Sequence, residues 1–327
     1  MKAIFYSKER QELIQRELQT PAPREKEVLI KTNFLVLTQR DLKNVDSEND
    51  IIPGRFFVGE VIAAGSDVKD FAPGDTVSGI TSFFCGSCEA CKNLEYHLCE
   101  NPSIPGKDVN GFFAEYITIK SDFLFKVPPE IPKEKAIFLP LIAELLAYIP
   151  EEIKPGSTGI ITAGSIEDLL FNNLLLISGF VETAILSTST RLRTFLKPDL
   201  RTHYMEEPTG LLQFFEGYGE KPDYAFDLTG NLPLLKSILQ VLKPNATLFL
   251  AEKLLNEDKE NIAQIWKFNI RMKNLLPIEY RISYAIKILQ THAIQPDDFI
   301  THIFNLDDYQ KISKILLQEP SLIRVKM

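Results

Sequence analysis

The chain of 327 residues is 45% hydrophobic and 24% charged, and its 36 Lys and Arg against 44 Asp and Glu leave a formal net charge of −8. That length allows two cores and exceeds one ordinary domain, while the negative field argues against nucleic acid or an anionic membrane surface as a partner. The most apolar stretch, Ala136 to Pro150, is broken by two prolines and Glu144. No run of about 18 apolar residues can therefore cross a bilayer. With no signal-peptide pattern after Met-Lys-Ala-Ile-Phe, a cytoplasmic chain is expected.

In chain order, Ala3–Tyr6 and Glu27–Thr32 read as strands, with Pro21 and Pro23 between them. Ile51-Ile-Pro-Gly54 reads as a turn, and Phe57–Gly65 follows as a strand. Turns at Ser66-Asp67 and Pro73-Gly74-Asp75 lead into Thr76–Ile80. Short β-branched runs punctuated by glycine predict a small barrel-like β domain.

Next comes Cys85-Gly-Ser-Cys88-Glu-Ala-Cys91-Lys-Asn-Leu-Glu-Tyr-His-Leu-Cys99, and these are all four cysteines of the chain. Small core thiols would scatter, and a pair of disulfides would need an oxidising compartment. Four sulfurs at this spacing suit a closed tetrahedral metal site, with zinc ahead of an iron–sulfur cluster. Such a shell folds a lobe and leaves no open position for water or substrate. His97, inside the lobe, is surplus to four thiolates and reads as a surface or supporting residue. Gly111–Ile119 then supplies another strand.

Further on, Gly159–Thr162 reads as a strand, Asp168–Ile177 as a helix and Val181–Leu186 as a strand. Tyr224–Gly230 and Ala246–Ala251 read as later strands flanking a helix over Leu232–Leu242, where Pro233 is tolerated in the first turn. This alternation predicts a doubly wound parallel sheet. The fold class is therefore α/β.

Gly65-Ser-Asp-Val-Lys-Asp-Phe-Ala-Pro-Gly-Asp-Thr-Val77, the cysteine lobe and Gly111-Phe-Phe-Ala-Glu-Tyr116 together resemble the medium-chain dehydrogenase/reductase superfamily. The branch they most resemble is the zinc-containing alcohol, polyol and threonine dehydrogenases. The resemblance implies a GroES-like β-barrel catalytic domain over residues 1–150 and 276–327, with a structural-zinc lobe at 85–99. It implies a Rossmann domain over 151–275. Arg281–Leu289, Phe299–Phe304 and Tyr309–Leu317 resemble the return of the chain to the first domain, and Ile323–Met327 would be the closing strand. A homodimer or homotetramer is also implied.

Members of that branch hold a second, catalytic zinc through a cysteine, a histidine and a third ligand, with one position open to substrate. At the matching positions this chain has Thr38-Gln39-Arg40-Asp41 for Cys-Gly-x-Asp, and Gly54-Arg55-Phe56 for Gly-His-Glu. It has Leu139-Pro140-Leu141 where a glutamate precedes Pro-Leu. None of these replacements is a zinc ligand, so the catalytic zinc is expected to be missing. Thr38, Arg40 and Arg55 become the candidate polar lining. Arg55 either grips an anionic oxygen of a substrate or forms a salt bridge to Asp41 or Glu60, the latter reading being favoured. Tyr96, Tyr116 and Tyr148 are weaker candidates as proton donors.

A dinucleotide loop needs three glycines. In Ile160-Ile-Thr-Ala-Gly-Ser-Ile-Glu-Asp168 those positions hold Ala163, Ser165 and Asp168, or, with one residue deleted, Thr162, Gly164 and Glu167. Either way a carboxylate meets the helix N-terminus, where it competes with a pyrophosphate. Beyond the next strand, Ser187-Thr-Ser-Thr-Arg191 lacks the acid that binds the NAD ribose, so NADP(H) is favoured over NAD(H), with an ordinary polar loop as the equal alternative. Gly164, Ser165, Ser187 and Arg191 are the candidate cofactor residues.

Two functions stand, and the resemblance favours the first. One is an NADP(H)-dependent reductase that works on a small-molecule substrate without a catalytic zinc. The other is a non-catalytic relative that keeps the fold and one structural zinc and serves as a binding or assembly partner.

Overall fold

Short runs of β-branched and aromatic residues make the first part of the chain antiparallel. In the computed structural model, residues 1–327 are described apart from 44, 46–48, 152, 197–198, 207, 220, 251–266, 268 and 275–280. Strand β1 (Lys2–Ser7) pairs antiparallel with β2 (Glu12–Glu17). Then come β3 (Glu27–Thr38), α1 (Arg40–Lys43), β4 (Phe56–Ala64), β5 (Thr76–Gly79) and α2 (Glu89–Lys92). They are followed by β6 (Tyr116–Lys120), β7 (Leu124–Lys126), α3 (Lys133–Ala136) and α4 (Leu139–Ala147).

The middle segment alternates strand and helix. It runs β8 (Ser157–Thr162), α5 (Ile166–Ile177), β9 (Phe180–Leu186), β10 (Thr202–Met205), α6 (Pro208–Tyr218) and β11 (Tyr224–Asp227). It ends with α7 (Leu232–Val241), β12 (Thr247–Leu250) and β13 (Arg271–Asn274). The last segment holds α8 (Ile282–Gln290), β14 (His302–Asn305), α9 (Tyr309–Gln318) and β15 (Leu322–Lys326).

Two compact units divide the chain, Met1–Glu144 with Ile278–Met327, and Leu145–Pro277. The first break falls inside α4, ahead of the expected residue 150. The boundary expected near 276 lies outside the described residues, as does Ala251 of the expected strand.

In the first unit, β3 is the organising strand. Strands run β14-β15-β3-β4-β5-β7, with β6 also paired to β3. Its inward residues Val28, Ile30, Leu35 and Leu37 are fully or almost fully buried. They join Phe57, Val61, Phe113 and the closing-strand residues Ile323 and Val325 in one core. β3 runs on past Thr32 to Thr38 because β15 extends its ladder, with Leu322 opposite Thr38. This carries Thr38 to the strand's end, beside α1.

Gly111–Glu115 does not join the expected strand. Gly111 lies so close to the turn at Pro53-Gly54 that an added Cβ would sit 2.3 Å from the Gly54 carbonyl oxygen. Phe112 N donates to that same oxygen at 3.0 Å, so the segment is pinned across a loop, and pairing with β3 starts at Tyr116. A comparable contact fixes Gly65, where a Cβ would stand 1.9 Å from the Arg24 carbonyl oxygen and 2.4 Å from that of Glu25. Gly65→Ala is therefore expected to cost at least about 2 kcal/mol through forced backbone movement, read as a lowered urea midpoint.

The second unit is a six-stranded parallel sheet in the order β10-β9-β8-β11-β12-β13. Numbered within the unit this is 3-2-1-4-5-6, the doubly wound order that places a dinucleotide crevice at the C-terminal ends of the strands. Every residue of β8 is buried, as expected for a strand covered on both faces. Phe226 stacks on Phe249 with ring centroids 5.0 Å apart and meets Phe171 edge-on at 5.4 Å. The edge strands β10 and β13 were not expected. Thr-His-Tyr-Met and Arg-Met-Lys-Asn show neither an apolar run nor a clean alternation, because an edge strand leaves much of itself in water. Among the described residues no helix is long and apolar enough to cross a membrane.

Candidate functional site

The cysteine lobe leaves the first unit through Phe83, whose backbone exchanges hydrogen bonds with Ser103 at 2.8 and 2.9 Å. Phe83 stacks on Phe123 with centroids 4.4 Å apart, and Phe84 stacks on Tyr96 at 3.9 Å, so aromatic rings hold both sides of the lobe. The Sγ atoms of Cys85, Cys88, Cys91 and Cys99 all lie within 4.8 Å of one another, and those of Cys85 and Cys91 are 3.9 Å apart. A zinc ion with bonds of about 2.3 Å to four tetrahedral sulfurs needs them about 3.8 Å apart, so the donor set fits.

Backbone N–H groups already point at sulfur, from Cys85 to Cys99 Sγ at 3.3 Å and from Cys88 to Cys85 Sγ at 3.4 Å. Hydrogen bonds from Ser87 pull the Cys85 thiol down to about 5. Burial, helped by Cys88, pushes the Cys91 thiol up to about 12. Among the described residues no other grouping of three or more His, Cys, Asp or Glu ligand atoms is close enough to share an ion. His97 is exposed and lies outside this set.

A second polar cluster sits in the core of the first unit. Thr38, fully buried at the end of β3, donates to Asp41 Oδ2 from its N–H at 2.7 Å and from its hydroxyl at 3.1 Å. Arg55 enters just ahead of β4, after Gly54, whose φ of +95° suits glycine. Its Nε lies 3.8 Å from Asp41 Oδ1 and its Nη1 3.4 Å from Glu144 Oε1, with side-chain exposures of only 18% for Arg55, 0% for Asp41 and 12% for Glu144. The other oxygen of Glu144 accepts a hydrogen bond from the buried Thr81 hydroxyl. The guanidinium carbon lies 4.9 Å from the Phe56 ring centroid, a cation–π contact.

Of the two partners expected for Arg55, Asp41 is met. Glu60 instead pairs with Lys133 at 3.1 Å. Arg40 opens α1 directly before Asp41 and is half-buried. Glu144 is the residue that sequence reasoning missed: Leu139 stands where the branch has its glutamate, and a different carboxylate of the same helix reaches Arg55. Its signal was a single acid in a helix whose Leu139, Leu141, Ile142, Ala143, Leu145 and Leu146 are all buried. Such an acid must find a partner.

In the second unit, Ser165 caps α5 and the gapless alignment is the one with a structural counterpart. Gly164 N and Ser165 N both donate to Asp168 Oδ2 at 2.8 Å, the Asp168 half of a capping box, while Ser165 Oγ is buried without a hydrogen-bond partner among the described residues. Glu167 is buried too, and its Oε1 meets no hydrogen-bond partner among the described residues. At the switch point between β8 and β11, Thr162 Oγ1 donates to buried Asp227 Oδ1 at 2.7 Å. The same oxygen accepts from Thr229 N and Gly230 N, each at 3.2 Å. After β9, buried Ser187 accepts from Ser189 N at 3.2 Å, and the Tyr204 hydroxyl donates to the Ser189 carbonyl. Arg191 is exposed at the start of the short helix Leu192–Phe195. Gly164, Ser165, Ser187 and Arg191 thus all lie beyond the C-terminal ends of β8 and β9, on the side where a doubly wound sheet takes its ligand.

A parallel sheet in dinucleotide-binding order, an antiparallel β unit and a four-cysteine lobe make up the architecture of the two-unit dehydrogenases. Residues 24–129 match the model of the alcohol dehydrogenase GroES-like domain. The chain is 27% identical over 322 residues to L-threonine 3-dehydrogenase of Pyrococcus furiosus, covering 92% of this chain and 90% of the relative. It is 26% identical over 313 residues to D-arabitol-phosphate dehydrogenase of Enterococcus avium, covering 90% and 88%. The structure of 2R,3R-butanediol dehydrogenase from Bacillus subtilis superposes with a TM-score of 0.87 at 19% identity, over 100% of this chain and 99% of that one. In sequence and fold the chain is thus similar to the alcohol, polyol and threonine dehydrogenases of the medium-chain dehydrogenase/reductase superfamily, with a GroES-like domain of their kind over residues 24–129.

Proposed function

We propose that this dehydrogenase-like chain works without a catalytic zinc and holds a single structural zinc on Cys85, Cys88, Cys91 and Cys99. The observation that carries the first half is Arg55, a fixed cation paired with two buried carboxylates at the position where the branch carries a metal-binding histidine. A divalent ion placed there would find the Asp41 and Glu144 carboxylates already paired with the Arg55 guanidinium, whose charge repels it. The same pairing occupies Arg55, which argues against its use as a grip for a substrate oxyanion.

The reading best supported is a protein that keeps the fold and its structural zinc and acts by binding or assembly, as a homodimer or homotetramer, rather than by hydride transfer. The Gly164 and Ser165 amides ahead of α5, directed at Asp168, favour it. An NADP(H)-dependent, metal-independent reductase of a small-molecule substrate is the second reading. What favours it is the Ser187 to Arg191 loop, which offers hydroxyls and an arginine and no ribose-binding acid.

Titration with NADPH and NADH, followed by nucleotide fluorescence and by thermal shift, separates the two. No binding at millimolar concentration is the expected result, and micromolar binding of NADPH would replace the first reading by the second. Metal analysis is expected to give one zinc per chain, lost when Cys91 is replaced. A second equivalent that survives in Cys91→Ser would overturn the zinc-free account of Arg55.

A further inference from the structure

We propose that Asp168 is a built-in occupant of the phosphate position of α5, an anion supplied by the chain that excludes a dinucleotide pyrophosphate. This rests on the reading that the chain does not use a nicotinamide cofactor, and it names the residue responsible. A helix start binds phosphate because its first N–H groups have no partner within the helix and carry the positive end of the dipole. Here the two N–H groups that lead into that start, Gly164 N in the loop and Ser165 N at the N-cap, are spent on one carboxylate oxygen at 2.8 Å each. The position that a third loop glycine would hold is Asp168 itself, so the donors are taken from within the same turn.

The surroundings reinforce the exclusion. Asp168 and Glu167 are each 3% exposed, as is Asp227 across the switch point. A pyrophosphate arriving here would lose the two amides to a competitor at high local concentration, in a neighbourhood that already holds three buried carboxylic side chains. Each effect disfavours the same ligand. The Asp227 oxygen is itself tied to Thr162, Thr229 and Gly230, which fixes it at the crevice. The residues present therefore do not fit the cofactor that the fold accommodates elsewhere.

The test compares wild-type protein with Asp168→Gly, Asp168→Ala and Asp168→Asn, using NADPH fluorescence and calorimetry with ADP-ribose. Losing a charge-assisted competitor is expected to tighten binding by about tenfold or more in the Gly and Ala variants. Asn, whose amide oxygen still accepts the two N–H bonds, is expected to gain less. Ala, a strong helix former, carries the comparison should Gly fray α5, and thermal melting confirms that each variant is folded. Affinity in both Gly and Ala variants within less than tenfold of wild type, including no detectable binding by any of them, overturns the role of Asp168 and leaves the non-catalytic reading standing. Micromolar binding by wild type that tightens a further tenfold in the variants would sink that reading and keep the role of Asp168.

Discussion

Replacing Arg55 by methionine is expected to destabilise the first unit by about 3–5 kcal/mol, the range for removing one member of a buried ion cluster. The cost comes from what stays behind. Asp41 and Glu144 have side-chain exposures of 0% and 12%, and without the guanidinium each keeps a desolvated charge next to one of like sign. Thr38 and Thr81 continue to hydrogen-bond these carboxylates, which limits the damage without restoring neutrality. The measurement is a urea melt of wild type, Arg55→Met, Glu144→Gln and the double variant. Combining Arg55→Met with Glu144→Gln is expected to recover at least about half of the loss, because one of the two stranded charges has gone. A single-variant loss below about 1 kcal/mol would place Arg55 with ordinary surface pairs and remove the argument that it is the resident cation of this pocket.

How much of this was legible in the sequence depended on how local each feature is. The four cysteines span fifteen positions, Cys85 to Cys99, and their spacing alone brings the sulfurs within ligand distance. The replacements Thr38 and Arg55 were equally readable, since each stands in a short motif. Glu144 was not, because it lies 89 residues from Arg55 on a helix whose other residues announce only burial. Sequence names an acid in an apolar helix but not the cation that meets it.

The nucleotide loop falls between these cases. Two alignments were open, and they differed in whether Asp168 or Glu167 replaced a glycine. The pattern Ser165-x-x-Asp168 is itself a capping signature, and that local signal alone favours the gapless alignment. The sheet was legible as a class from alternating strands and helices. Its order was not, and the polar edges β10 and β13 carried no periodicity to find.

Stripping the metal from the cysteine lobe is expected to release one zinc per chain and to make segment 85–99 the first site of proteolytic cleavage. The lobe has little else to hold it. Leu94, Tyr96 and Leu98 are 72%, 42% and 48% exposed, and the lobe is anchored by ring contacts among Phe83, Phe84, Tyr96 and Phe123. Four metal–sulfur bonds therefore supply most of its order, as in small metal-folded domains. Zinc uptake must also release protons. In the metal-free lobe, burial holds the Cys91 thiol at about 12 while hydrogen bonds from Ser87 hold Cys85 at about 5. Near neutral pH Cys85 is thus already a thiolate and Cys91 is not, so binding must expel the Cys91 proton at least. A group that stays protonated until high pH opposes the metal more strongly as pH falls. Affinity is accordingly expected to climb by about tenfold or more for each unit of pH between 6 and 8, measured by competition with a chromogenic chelator. A flat pH profile would mean that the thiols are already ionised without metal. Visible absorbance with bound iron in place of zinc would identify the lobe as an iron–sulfur site and overturn the zinc assignment.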